Sequence, residues 1–437
     1  MVSALWEKLN RHRANILHVV WAPAVAMVAM AVGSRVLTEI TNVGTFGEAK
    51  LAQGGVALAI GLVSRPATQF VMREFHDARQ AGRADAFEQF ARGRQLRLAW
   101  VLAAATVVGL LTASQLGLAL PMAACLAAGA MLLVEVSIST ELALALTRNE
   151  QRLVSIAEVV RQGGLPFVAA AAIFYLVDSS AIFIAAQAAF TLCCLWAVRR
   201  ALKGGSGEAL ASSDETARWS TAGRRFVIPM LGTGLFHWAL NVGDRYVLAH
   251  YCSDAEVGRY SAVYGLIALP IGAAGGMLAR FLFPLVFGAA ARNDEAAQRY
   301  MLRGMVLLTA IIGVGAVTGA IVVGPWILRV ALAAEYREGS EPLLGWLAAG
   351  QACFIVASSM EMRAFAKKAT LALSVASGTA ALVNLSLNLW WVPVRGAKGA
   401  AMATFFGYLV YLVVSGIALA VSRRAKTVTA DPEERSG

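Results

Sequence analysis

The sequence predicts an all-α integral membrane protein with twelve transmembrane helices in two parallel six-helix repeats. Three observations carry this. The 437 residues are 58% hydrophobic and only 15% charged, against about 25% charged in an ordinary globular domain. The apolar residues gather into runs near the ~20 residues that carry a helix across a bilayer. Polar positions also recur in order along the two halves. Arg35 is answered by Arg245, Gly44-Thr45-Phe46-Gly47 by Gly258-Arg259-Tyr260-Ser261, Arg65 by Arg280, and Ser139-Thr140-Glu141 by Ser359-Met360-Glu361. The offset grows slowly from 210 to 220, as a duplicated helical unit with small insertions would give.

The first six spans fall near 15–34, 51–72, 98–116, 118–146, 153–177 and 179–198. The second six fall near 226–249, 260–288, 304–324, 342–362, 369–393 and 399–421. The 118–146 and 260–288 runs are longer than a straight crossing needs, so they tilt or protrude. The first run is too long for a cleaved leader, and Ser34-Arg35 is not a small-residue cleavage site, so it is expected to remain as a span. Of the 38 Lys and Arg, 27 lie in alternate connections counted from the N-terminus. The positive-inside rule then puts both termini and the rich loops in the cytoplasm. The formal charge of +11 is thus topology and lipid-headgroup contact, and calls for no nucleic-acid partner.

The Gly-, Ser- and charge-rich segment 199–225 reads as a flexible cytoplasmic linker. It separates an N-terminal lobe (1–198) from a C-terminal lobe (226–422), with a cytoplasmic tail at 423–437. Six spans precede it, so both lobes start on the same side and the repeat axis lies along the membrane normal. The connection 73–97 mixes charges with Phe75, Phe87 and Phe90, and predicts a short amphipathic surface helix. The external segment 325–341 predicts an interfacial helix anchored by Trp326. Pro23, Pro66, Pro166, Pro229, Pro270 and Pro284 interrupt spans and predict bends.

A guanidinium in hydrocarbon costs at least ~2.5–3.5 kcal/mol on insertion scales, so the Arg pairs need a reason. Arg65 lies ~22 Å of helix from the outer end of its span, and Arg280 deeper in a longer one. Either they face a wet cavity and bind an anion, or they snorkel to inner-leaflet phosphates. Arg35 and Arg245 sit near outer ends, where snorkelling costs less and both accounts stand. Asp244 does not share a helix face with Arg245, and is expected to seek a partner on another span. Glu158 and Arg161, spaced i,i+3, are read as a structural ion pair. Glu135, Glu141 and Glu361 are carboxylates in or near the membrane. They either pair with bases (Arg148 and Lys368 lie about two turns beyond Glu141 and Glu361) or serve as coupling groups for a proton or cation. His237, inside the seventh span, is read first as a hydrogen-bonded interhelical residue. The five cysteines have no metal-ligand spacing and imply no disulfide framework. No Walker sequence, nucleophile elbow or His-Glu-x-x-His is present, so neither metal, cofactor nor enzyme activity is expected.

Three stretches resemble a known family. Gly33-Ser34-Arg35-Val36-Leu37 with Phe46-Gly47 is similar to the first-to-second-helix pattern of bacterial polysaccharide transporters. Those are the oligosaccharide flippases of the multidrug/oligosaccharidyl-lipid/polysaccharide exporter superfamily. Asp244-Arg245-Tyr246-Val247-Leu248 through Val257-Gly258-Arg259-Tyr260 resembles their seventh-to-eighth-helix pattern. Val383-Asn384-Leu385, Asn388, Val392-Pro393 and Gly396-Ala397-Lys398-Gly399 resemble the eleventh-to-twelfth.

The resemblance implies two lobes around a central cavity lined by the first, second, seventh and eighth helices, where Arg35, Arg65, Arg245 and Arg280 fall. It implies a bacterial inner-membrane protein whose cargo is a polyprenyl-pyrophosphate-linked oligosaccharide, with membrane lipids, a polysaccharide polymerase and glycosyltransferases as partners. A cation-coupled multidrug exporter is the nearest rival. It would favour cavity carboxylates, and the first two spans hold no internal Asp or Glu. A glycolipid polymerase or acyltransferase would want a long external loop or a His-Asp pair, and neither is found.

Overall fold

The structure, a computed structural model, describes residues 13–118, 120–202, 211–291, 294–366 and 370–429. Among them there are helices and short connections, and no strand. Among the described residues ten helices are long and apolar enough to cross a membrane, from Val43–Gln80 to Ser374–Ala418. The expected 15–34 span falls within the helix α1 (Arg13–Ile40), part of whose side chains, Pro23 included, lie outside the described residues. The chain divides into two compact units.

The first unit takes Met1–Trp238, Cys252–Ala262 and Arg329–Glu338. After α1 come α2 (Val43–Ala59), a π turn (Ile60–Ser64) and α3 (Arg65–Gln80). Then follow α4 (Ala84–Gln115), α5 (Met122–Thr147), α6 (Gln151–Tyr175) and α7 (Ser180–Leu202). A short α8 (Ser213–Val227) leads through a 3-10 turn at Pro229 into α9 (Leu231–Tyr251), whose first turns belong to this unit. Asn42 caps α2 by accepting from the Gly44 amide at 2.8 Å. Apolar burial gives no drive between helices in lipid, so small residues set the packing. On α1 and α6, a Cβ on Gly33 would lie 2.8 Å from Pro166, and one on Gly163 3.0 Å from Ala29.

Two expectations change here. The 73–97 connection is no separate surface helix: α3 and α4 run on and turn at Gly82, whose φ of 70° suits glycine. The Phe residues of that stretch make a core under the hairpin. The segment read as a linker is helical in part. Arg199–Leu202 finish α7, residues 203–210 lie outside the described residues, and 213–225 are helical. Ser212 and Glu215 form a capping box, and Trp219 is buried edge-on against Phe87 with ring centroids 5.1 Å apart. Arg83 donates to Glu215 at 2.8 Å. That guanidinium, helped by the Ser212 amide, holds the Glu215 carboxyl down at about 2. This pair therefore contributes fully above the ordinary carboxylate range and is lost only as pH falls towards that value.

The second unit takes Ala239–Tyr251, Val263–Leu328 and Gly339–Gly437. It holds the rest of α9, most of α10 (Asp254–Ala291), α11 (Glu295–Val322), α14 (Glu341–Ala366) and α15 (Thr370–Thr429). The short helices α12 (Gly324–Ala331) and α13 (Ala334–Arg337) stand between α11 and α14. α15 is broken at Gly396 (φ 53°, ψ −137°), at the expected boundary between the last two spans. Gly399 lies against the Trp391 carbonyl, where a Cβ would come within 2.6 Å.

Candidate functional site

Arg65 follows the π turn, and Pro66 favours a distortion of the helix at this point. Proline has no N–H to give the carbonyl four residues back. The Arg65 amide instead reaches Ile60, five residues back, the wider bonding that marks π turns, which recur at functional sites. On α9, a Cβ at Gly234 would lie 2.6 Å from the Gly61 carbonyl, and Trp238 Nε1 donates to the Gly54 carbonyl at 2.8 Å. His237, 3.0 Å from the Thr233 carbonyl through Nδ1, is within electrostatic range of Arg65. Arg65 is exposed, and no carboxylate among the described residues pairs with it. The side chain of its repeat mate Arg280 lies outside the described residues.

Arg35 is engaged differently. It pairs with Glu39 and donates to the Leu332 carbonyl in the segment 325–341. Around it the Ala333 amide donates to Thr38 Oγ1 at 3.1 Å, and buried Tyr336 donates to the Thr41 carbonyl at 2.9 Å. The Tyr336 ring stands edge-on to Phe46, and Arg259 donates to the Glu335 carbonyl at 3.1 Å. The segment 325–341 is therefore tied down by buried Tyr336, and Trp326 is exposed, as a residue at a membrane boundary needs to be. Tyr336→Phe should lower stability by about 1–3 kcal/mol, read as a fall in melting temperature, because it leaves a buried carbonyl unpaired.

Next to these ties α2 and α10 cross at glycines. A Cβ on Gly47 would lie 2.1 Å from the Asp254 carbonyl, and one on Gly258 2.1 Å from the Val43 carbonyl. Glu48, outside the expected span, lies inside α2 and accepts from Ser180 at 2.6 Å. The helix is longer at its N-terminal end than its apolar run, so this region does hold a carboxylate.

In the second unit Arg245 is 11% exposed and stacks over the Tyr264 ring, 4.4 Å from the centroid. Its Nη1 reaches back to the Asn241 carbonyl at 2.6 Å and approaches Asp244 at 3.5 Å. The flexible Arg side chain thus reaches a neighbour that helix geometry alone would place on another face. Asp244 also finds its expected partner on another helix, accepting from Thr404 at 3.2 Å. Tyr408 donates to Asn241 at 2.8 Å and meets Tyr264 at 3.1 Å, while Gln351 donates to Tyr264 at 2.9 Å. Sequence reading did not find these polar partners, since they come together from four different helices.

The carboxylates sort by partner. Arg161 donates through Nη1 to Glu135 at 2.8 Å, so α6 reaches α5 and Arg161 is not reserved for Glu158. Glu141 is 1% exposed and is held by Arg92 at 3.1 Å and Arg199 at 2.9 Å, not by Arg148. Arg148 instead pairs with buried Glu88, which sequence reading passed over among the surface charges of 73–97. Glu361, the repeat mate of Glu141, accepts from Tyr411, and its Oε1 has no partner among the described residues. Lys368 lies outside the described residues. One repeat position thus carries an ion-paired carboxylate and the other a tyrosine-bonded one. Glu141→Gln should cost about 2 kcal/mol in thermal unfolding, less than the ~3–5 of a fully buried pair because Arg92 and Arg199 reach solvent.

Residues 218–341 match the family described as Polysaccharide biosynthesis protein. The whole fold is similar to an inward-facing multidrug resistance MATE family transporter of the MOP superfamily, with TM-score 0.74 and 13% identity over 95% of this chain and 100% of that one. It is equally similar to the lipid II flippase MurJ in an inward closed conformation, with TM-score 0.74 and 11% identity over 93% of this chain and 87% of that one. The Vibrio cholerae MATE transporter VcmN in its bent form gives TM-score 0.60 and 12% identity over 92% of this chain and 99% of that one. No curated protein matches the chain. The family match and the fold together bear out the resemblance to polysaccharide transporters and flippases read from the sequence.

Proposed function

We propose that this chain, a multi-pass membrane protein with the fold of MOP-superfamily transporters and flippases, moves a polyprenyl-pyrophosphate-linked oligosaccharide across the bacterial inner membrane. The transfer runs from the inner to the outer leaflet by alternating access, in service of surface polysaccharide synthesis, with both termini cytoplasmic. The observation that carries this reading is Arg65, exposed and without a carboxylate partner among the described residues, deep in a span and next to a π turn. Its planar fork suits a pyrophosphate and stays charged. Arg280 is proposed for the same task from its place in the repeat. Arg35 and Arg245 are already engaged, so they act later in the cycle, when their present partners let go. Glycosyltransferases and a polymerase would supply and consume the cargo.

A second reading is a cation-coupled drug exporter. It draws on Asp244 and Glu361, two buried carboxylates held by hydroxyl groups, and on Glu48 within α2. Both readings are tested in liposomes holding the purified chain. A fluorescent polyprenyl-pyrophosphate oligosaccharide should become accessible to a quencher outside, whereas a lipophilic cationic dye should not be moved by an ion gradient. Transport of the dye with no movement of the lipid would replace the first reading by the second.

A further inference from the structure

The arginines in and around the α3–α4 hairpin include both carboxylate-paired and unpaired ones. Arg83, Arg92, Arg148 and Arg199 each hold a carboxylate. Arg73 and Arg94 lie against aromatic rings instead. Arg94 is 5.8 Å from the Phe70 centroid and 5.9 Å from that of Phe90, and donates weakly to the Trp219 carbonyl at 3.4 Å. Arg73 lies 5.8 Å from the Phe226 centroid, and Phe226 packs on Phe70 at 6.1 Å. Exposed Arg224 on α8 is close enough to repel Arg94, and the neighbouring Gly223 is where α8 passes over that guanidinium. Among the described residues none of these three arginines pairs with a carboxylate.

We propose that the junction of α3, α4 and α8 binds the phosphate of an anionic membrane lipid, with Arg94 and Arg224 holding it and Arg73 at its rim. The rings cover the face of Arg94 and one N–H goes weakly to the Trp219 carbonyl, which leaves its other N–H groups to match phosphate oxygens. One phosphate between Arg94 and Arg224 turns their mutual repulsion into two charge-assisted contacts. The rings and buried Trp219 mark an interfacial depth, and the charge bias puts the junction on the leaflet side rich in anionic lipid. Docking of α8 completes the site, because Arg224 comes from α8 and Arg94 from beneath it. The cargo's pyrophosphate shares this chemistry, so the experiment must separate the two sources.

The test uses the full purified chain in neutral detergent. Its thermal midpoint is followed while phosphatidylglycerol, phosphatidylcholine or inorganic pyrophosphate is added. Phosphatidylglycerol should raise the midpoint by several degrees, and phosphatidylcholine should not. In Arg94→Gln/Arg224→Gln, half-maximal stabilisation should need at least tenfold more phosphatidylglycerol. Arg395→Gln, which removes another ring-stacked arginine, should behave like the unaltered chain. If the double Gln variant does not fold, Arg94→Lys/Arg224→Lys decides: charge without the fork should give an intermediate loss. Equal responses to the two lipids, or an unchanged response in the folded double variant, would overturn the proposal. So would stabilisation by pyrophosphate alone, which would assign the arginines to the cargo head. No oligosaccharide is present, so failure here leaves the transport reading untouched.

Discussion

Arg65→Ala should abolish transfer of the lipid-linked oligosaccharide in liposomes and export of surface polysaccharide in cells, with protein abundance and melting temperature unchanged. Arg65 is exposed and holds no carboxylate among the described residues, so its removal costs the fold little, within about 0.5 kcal/mol. A bidentate contact to pyrophosphate would be lost instead. Two charge-assisted hydrogen bonds at about 1.5–3 kcal/mol each correspond to a fall of roughly 100-fold or more. Arg65→Lys keeps the charge and loses the fork, so partial transfer should survive. Arg280→Ala should have the same effect through the repeat. Normal export from both alanine variants would remove these residues from the route.

Gly258→Val should remove most of the folded protein, with Gly47→Val close behind. At each position even the first added carbon would sit 2.1 Å from a backbone carbonyl oxygen. No side chain can swing aside there, so the α2–α10 crossing itself must separate. Overpacking of this kind costs about 1–3 kcal/mol when neighbours can yield, and a backbone neighbour puts both variants at or above the upper end. Gly44→Ala is the control. It lies in the same stretch but meets only the Asn42 side chain, at 3.3 Å. Melting temperature and detergent-extracted yield should separate the three variants, and wild-type values for Gly258→Val would mean that the crossing is not closed in the membrane.

What could be read from the sequence was whatever a single helix records about itself. The apolar runs located the helices, the repeated arginines and glutamates located equivalent positions, and Val392 to Gly399 marked the break that Gly396 makes. Partners were less legible, because helical spacing reports only neighbours on the same helix. Arg148 is the base that sequence spacing offers Glu141, yet Arg92 and Arg199 hold it from α4 and α7. Trp219 lies in the stretch read as a solvated linker, yet α8 buries it against Phe87, and Glu88, one of the charges of 73–97, is buried beside Arg92 and Arg148. Ser212 followed three residues later by Glu215 was a legible sign of that helix, since it is the pattern of a capping box. The π turn had one legible trace, Pro66, but a proline permits several distortions and does not choose among them.

Moving that turn along the helix would give Arg65 a second orientation. A π turn carries one residue more than an α turn of the same height, so the surplus can be passed along the chain or expelled from it. Each residue of slippage rotates everything on one side by about 100° around the axis, while moving it only ~1.5 Å along it. Such a slip would sweep the cationic head of Arg65 through more than a quarter-circle with α3 barely displaced. In a carrier that must grip an anion on one face of a membrane and surrender it on the other, such a swivel would change the grip without needing to pull the charge through oil.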